Sequence, residues 1–277
     1  MDAGPRLKAA VKRALKHGAA IPGKVVRCAE PCLRILTYHS VGTRKHDMNV
    51  APEDFRAQME WLAASHEVLP LAAGVEAGRG IAVTFDDGYR DNLTNAAPVL
   101  QALGIPATVF VVTGRLGQTL DLGDHAGASG LMTWDEVREI RRMGVLVGAH
   151  TVSHRRLAAL NEAEQRAEIE GAARHIEQHL GQPAAGFAYP FGAAADYNAL
   201  SVRIVRECGF PVAASNRYGG NRPGADRWQL RRIWIDATDT LPTFKAKVNG
   251  ELDLLALLDS RVGLWCRRAF NRSLGIR

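Results

Sequence analysis

The chain holds 277 residues, 47% of them hydrophobic and 23% charged, with a net charge of +6. That length and composition suit one large buried core and exclude a disordered or collagen-like chain. No run of about eighteen apolar residues occurs, which excludes a membrane-spanning helix. The N-terminus lacks the apolar stretch of a cleaved signal peptide, so a cytoplasmic location is expected.

In chain order, residues 1–32 come first as a basic helical segment. Leu7, Val11 and Leu15 repeat every four residues, with Lys8, Lys12, Arg13 and Lys16 around the rest of the cylinder. Leu33-Arg34-Ile35-Leu36-Thr37-Tyr38 predicts the first strand. A helix is expected over 52–64, with Pro52 near its start and Phe55, Met59 and Leu62 facing inward. A buried strand at 81–85 leads to a helix over 92–103 that Gly104 stops, followed by a strand at 107–112. The stretch 114–130 is too long for a plain connection and is expected to be a substrate-side loop. Thr133 and Glu136 form a capping box for a helix over 134–143. Strand 145–149, helix 161–180, strand 186–190, helix 197–208 and strands 211–215 and 229–235 complete the series.

Strands alternating with helices imply parallel pairing and right-handed crossovers. Seven of them predict an α/β fold, an incomplete or distorted (β/α)7 barrel with additional helices at both ends. The catalytic domain is expected over 33–240, flanked by 1–32 and by a basic extension at 241–277. In that extension Leu258, Val262, Trp265 and Ala269 form a stripe beside Arg261, Arg267, Arg268 and Arg272. Residues 1–34 carry +6 and 260–277 carry +5, so the body between them is acidic at −5. Two readings of the ends stay open. Either they pack on the barrel, or they attach peripherally to anionic lipid at the inner membrane face. Nucleic acid is not an expected partner, because no basic strip is interleaved with stacking aromatics. Of the four cysteines, Cys28 and Cys32 are a lone pair interrupted by Pro31, and Cys208 and Cys266 stand apart. Reduced structural thiols are expected.

Chemistry concentrates at 84–92, Thr-Phe-Asp-Asp-Gly-Tyr-Arg-Asp-Asn. Asp86 and Asp87 end an apolar strand, and Gly88 lets the backbone turn. Adjacent carboxylates repel unless a cation, a proton or a strong donor lies between them. His150 ends a second strand, with His154 four residues on. One Asp and two His leave coordination positions open, as catalytic metal sites require. The blander reading, two acids capping the following helix, stays open.

These residues resemble the polysaccharide deacetylases of the NodB-homology type, a carbohydrate esterase family 4-like group. Thr84-Phe85-Asp86-Asp87-Gly88 resembles the first motif, His150-Thr151-Val152-Ser153-His154 the second, and Tyr189-Pro190-Phe191-Gly192 the third. The resemblance implies Asp87, His150 and His154 as metal ligands and Asp86 as general base. It places Tyr189, Pro190, Phe191 and Gly192 at the substrate and oxyanion side, with a backbone N–H near Phe191 as donor. Two departures stand out. No histidine follows His179, where the main family takes its general acid from a late Leu-x-His motif. Tyr38-His39-Ser40-Val41 is similar to an early Tyr-His motif of a circularly permuted subgroup, which assigns the acid to His39. Ala188 stands where the main family has an arginine that orients the base. Arg232 resembles the permuted subgroup's replacement, with Arg231 as its outward neighbour.

The implied activity is metal-dependent removal of N-acetyl groups from N-acetylhexosamine units of a polysaccharide, or of its lipid-linked or cytosolic precursor. The metal expected is Zn²⁺, and Ni²⁺, Co²⁺ or Fe²⁺ fit the same donors. An N-acetylated glycan is the expected partner, with Trp134, Tyr89 and Trp234 as candidate stacking platforms. Alternatives are hydrolysis of another amide or an O-acetyl ester, and a catalytically silent glycan-binding domain.

Overall fold

A computed structural model describes residues 31–43, 46–119 and 130–259. The stripe expected near the N-terminus, Val262, Trp265 and Ala269 of the C-terminal one, Cys28, Cys266 and the middle of the 114–130 loop lie outside those residues. Seven parallel strands form a ring in the order β1 (Leu33–Tyr38), β4 (Gly80–Phe85), β5 (Ala107–Val111), β6 (Leu146–Ala149), β7 (Phe187–Ala188), β8 (Ala213–Tyr218) and β9 (Leu230–Trp234). The ring closes where β1 meets β9, with Leu36 opposite Ile233 and Thr37 opposite Trp234. Two distortions mark it. β7 has two residues, since Pro190 lacks the N–H that would extend the ladder. β8 and β9 shift register between Ala214 and Tyr218.

The helices between strands are α1 (Pro52–Ser65), α2 (Leu71–Ala77), α3 (Ala97–Leu103), α4 (Trp134–Arg142), α5 (Glu162–Leu180) and α6 (Ala199–Glu207), with α7 (Leu241–Val248) after the last strand. α4 begins at the expected Thr133–Glu136 capping box, and Asn161–Glu164 and Asn198–Ser201 do the same for α5 and α6. The helix expected from 92 instead opens with a π-turn, Asn92–Ala96. Asn92 and Asn95 send their side-chain amides to the carbonyls of His39 and Val41, each at 2.7 Å, which ties this wider turn to the loop after β1. That loop carries β2 (Ser40–Val41) and β3 (Asn49–Val50), two-residue strands too short to show a period in sequence.

Strand alternation sorts the barrel into layers. Leu33, Ile35, Ala82, Phe110, Ala188, Ala214 and Leu230 pack together with Val212 as its floor. Gly148 makes room for Phe110: a Cβ there would lie 2.4 Å from the ring. Above this floor the fully buried Thr37, Thr84 and Arg232 form a polar layer, and Asp86 and His150 lie beyond at the strand C-termini. A second apolar layer lies between strands and helices, with Phe55, Phe85, Val109, Ile169, Ile176, Phe187 and Phe244 in it. After β9 the chain stays on the barrel. Phe244 of α7 meets the Trp61 ring edge-on at 5.9 Å. Lys247 Nζ donates to the Trp234 carbonyl and to Asp239, and Arg34 forks Asp253 at 2.8 and 2.9 Å. Among the described residues no helix is long and apolar enough to cross a membrane.

Candidate active site

Three turns at the strand C-termini build the site, and each bends in a way side chains resist. Among the described residues the non-glycine positions with left-handed φ are Asp87 (71°), Thr151 (63°), His154 (62°) and Phe191 (60°). All four belong to the three signature turns. Such backbone costs on the order of 1–3 kcal/mol per residue and persists only where surrounding contacts fix it.

The first turn separates the two acids. Asp86 continues the alternation of Ala82 and Thr84 and enters the barrel mouth. Asp87, turned by its positive φ, faces the histidines. His150 Nε2 and His154 Nε2 lie 3.5 and 3.4 Å from the same oxygen, Asp87 Oδ1. The three ligand atoms lie within 4.8 Å of one another, and all three residues are buried. His150 Nδ1 sits 2.7 Å from the Ala188 carbonyl. A carbonyl only accepts, so Nδ1 carries the proton and Nε2 presents a lone pair. His154 is also neutral, because burial lowers its pKa to about 4 against the pull of Asp86. Neither Asp87 oxygen makes a hydrogen bond of good geometry, and burial pushes the Asp87 pKa up despite the nearby Tyr89 hydroxyl. The His150 lone pair and the neutral His154 ring thus face a buried carboxylate that lacks a hydrogen bond of good geometry. Acceptors facing acceptors repel, and a divalent cation among them removes the conflict. The donor set fits the expected metal.

Asp86 meets Arg232 in a two-pronged pair, Oδ1 to Nη1 at 2.7 Å and Oδ2 to Nη2 at 2.6 Å. Burial alone would raise the Asp86 pKa. The Arg232 guanidinium, through its charge and its two hydrogen bonds, outweighs it and holds the carboxyl well below the usual range. Arg232 is fixed in turn by Nε donating to the Ser215 carbonyl at 2.9 Å. His39 is half-buried beside both aspartates. Burial lowers its pKa, while Asp87 and Asp86 pull it back up.

The third signature divides. Tyr189 is fully buried, stacks on Tyr197 at 4.1 Å and donates its hydroxyl to the Trp228 carbonyl, so its side chain points away from the site. Pro190 accepts from the Gly192 amide at 2.7 Å, which spends that N–H inside the turn. Phe191 is 42% exposed and meets the His154 ring edge-on at 4.8 Å. The stacking candidates divide as well. Tyr89 is buried, one face of Trp134 is covered by His179 at 4.1 Å, and Trp234 stays 36% exposed.

Two further residues belong to the site. Glu168 of α5 accepts from the Val152 and Ser153 amides at 3.0 and 2.8 Å and from the Ser153 hydroxyl, and so holds the His150–His154 turn. Asn216, within β8, accepts from Arg232 Nη2 and donates to the Phe191 carbonyl. Glu168 is legible only as a buried acid on an otherwise apolar helix face. Asn216 carries no sequence signal, since its partners lie 16 and 25 residues away.

The polysaccharide deacetylase family profile matches residues 74–213. The Bacillus subtilis protein YxkH, which bears a polysaccharide deacetylase name, is 25% identical over 212 residues, covering 73% of this chain and 71% of its own. The poly-beta-1,6-N-acetyl-D-glucosamine N-deacetylase of Staphylococcus epidermidis is 22% identical over 236 residues, 78% of each chain. Among solved structures, IcaB from Ammonifex degensii superposes with a TM-score of 0.69 at 23% identity, covering 80% of this chain and 97% of that one. That likeness bears on the barrel alone.

Proposed function

Because the chain belongs to the polysaccharide deacetylase family, we propose that it is a metal-dependent hydrolase that removes N-acetyl groups from N-acetylhexosamine units of a glycan or its precursor. One observation carries this reading: two neutral imidazoles and an unsatisfied carboxylate converge beside a second carboxylate held ionised by a buried arginine. The name of the Staphylococcus epidermidis relative supports an N-acetylglucosamine polymer as substrate class.

Asp87, His150 and His154 would hold the cation. When bound there, a divalent ion supplies Lewis-acid polarisation of the acetyl carbonyl and an acidified water, and Zn²⁺ suits the mixed imidazole and carboxylate donors. Asp86 serves as general base. Its low pKa keeps it ionised, Arg232 fixes its orientation, and each oxygen retains a lone pair beyond the one Arg232 uses. The Phe191 N–H, in the turn whose Gly192 amide is already spent, stabilises the oxyanion as the carbonyl carbon becomes tetrahedral. His39, on the opposite loop, delivers a proton to the departing amine, after which acetate and the free amino sugar leave. Trp234 offers an exposed ring for a sugar face.

Residues 33–240 form the catalytic unit in this reading, with 241–259 packed on its outside. The +6 and +5 of the two ends support attraction to an anionic lipid surface, which flotation with anionic against neutral vesicles tests. For the chemistry, acetate release is measured from N-acetylated glucosamine oligomers and from an O-acetyl ester, with and without chelator. Chelator-sensitive release from the oligomers is expected. Release from the ester alone moves the reading to an esterase, and no release from either sinks it.

A further inference from the structure

Arg232 and the Phe191 turn come from different strands, yet one side chain touches both. Asn216 Oδ1 accepts from Arg232 Nη2 at 2.8 Å, and Asn216 Nδ2 donates to the Phe191 carbonyl at 3.1 Å. The amide orientation is fixed by chemistry, since guanidinium can only donate and a carbonyl can only accept. The Asn216 backbone is engaged as well. Its N–H donates to the Gly192 carbonyl at 2.9 Å, and its carbonyl accepts from Trp234 Nε1 at 3.2 Å. Gly192 fits this approach because a Cβ there would lie 2.5 Å from the Asn216 nitrogen. Four polar groups of one half-buried residue therefore bind the arginine behind the base, the turn bearing the oxyanion donor, and the exposed ring at the mouth.

We propose that Asn216 is a positioning residue for deacetylation, the link that sets the Asp86–Arg232 pair in register with the Phe191 turn. This rests on the deacetylase reading above. Proton acceptance and oxyanion stabilisation act on one small group, so the two must be placed together to a fraction of an ångström. Asparagine suits the post because it carries a donor and an acceptor on one short plane. Aspartate keeps the arm to Arg232 and sets an acceptor against the Phe191 carbonyl. Alanine loses both arms.

The test compares wild type, Asn216→Ala and the near-isosteric Asn216→Asp for acetate release, bound metal and melting temperature. Both variants are expected to lose about 30–100-fold in kcat, with KM within about threefold and metal stoichiometry unchanged. A loss shared equally by metal content and folded fraction makes Asn216 merely structural and overturns the proposal. So does a kcat within threefold of wild type in either variant. A second readout does not depend on turnover: hydrogen exchange at the Asn216 amide and at the Arg232 Nε–H, read by NMR on ¹⁵N-labelled protein. Both sites are expected to exchange at least about tenfold faster in Asn216→Ala, and unchanged rates overturn the link. If wild type releases no acetate, the deacetylase reading falls while these rates still decide whether Asn216 joins the two elements.

Discussion

Asp86 and Asp87 share a peptide bond and have opposite electrostatics. Asp86 is neutralised by a guanidinium fork, and Asp87 faces two neutral imidazoles and a phenol. Their substitutions should therefore separate cleanly. Asp86→Asn is expected to retain bound metal and to lose about 10²–10⁴-fold in kcat, checked by elemental analysis beside the acetate assay. His150→Ala is expected to lose the metal itself. Arg232→Met leaves a buried carboxylate without its partner and should destabilise the fold by about 3–5 kcal/mol in urea unfolding. The same pair sets a pH dependence. Because the folded Asp86 pKa is depressed, its stabilisation is present above the ordinary carboxylate range near ~3.9 and is lost as pH falls towards its lowered value.

At the scale of elements, the site is a set of strand ends held in unfavourable backbone. The His150–His154 turn contains two left-handed residues, and α5 reaches across to it through Glu168. Glu168→Gln replaces an oxygen that accepts two amides with a group that accepts fewer. Its expected effect is a 10–100-fold weaker metal affinity with the barrel still folded, measured by titrating metal into the chelated protein. The floor of the barrel behaves differently. Gly148→Ala drives a methyl into the Phe110 ring, whose other neighbours in the core leave it nowhere to go. An overpacking cost of about 1–3 kcal/mol is expected, with metal affinity little changed.

For the whole molecule, the three proposed ligands follow β4 and β6, so a cation held by them would brace the ring near its mouth. With metal at about 100 times its dissociation constant, linkage adds roughly 2.7 kcal/mol, and chelation should lower Tm by roughly 5–10 °C. A Tm that does not respond to chelator would argue against a cation in this place. Much of this architecture was legible in the sequence, because the features involved are local. Short apolar runs, helical stripes and one capping box located the strands and helices, and the ends of three runs carried Asp86, Asp87, His150, His154 and the Phe191 turn. Alternation along β9 also placed Arg232 inward and Arg231 outward. Tertiary structure alone decided the rest. Asn216 joins β8 to β9 and to a turn 25 residues earlier, and Tyr189 is drawn out of the site by Tyr197 and the Trp228 carbonyl. Spacing fixes which face of an element a residue occupies, but the hydrogen-bond partner waiting there is set only when distant strands close into a ring.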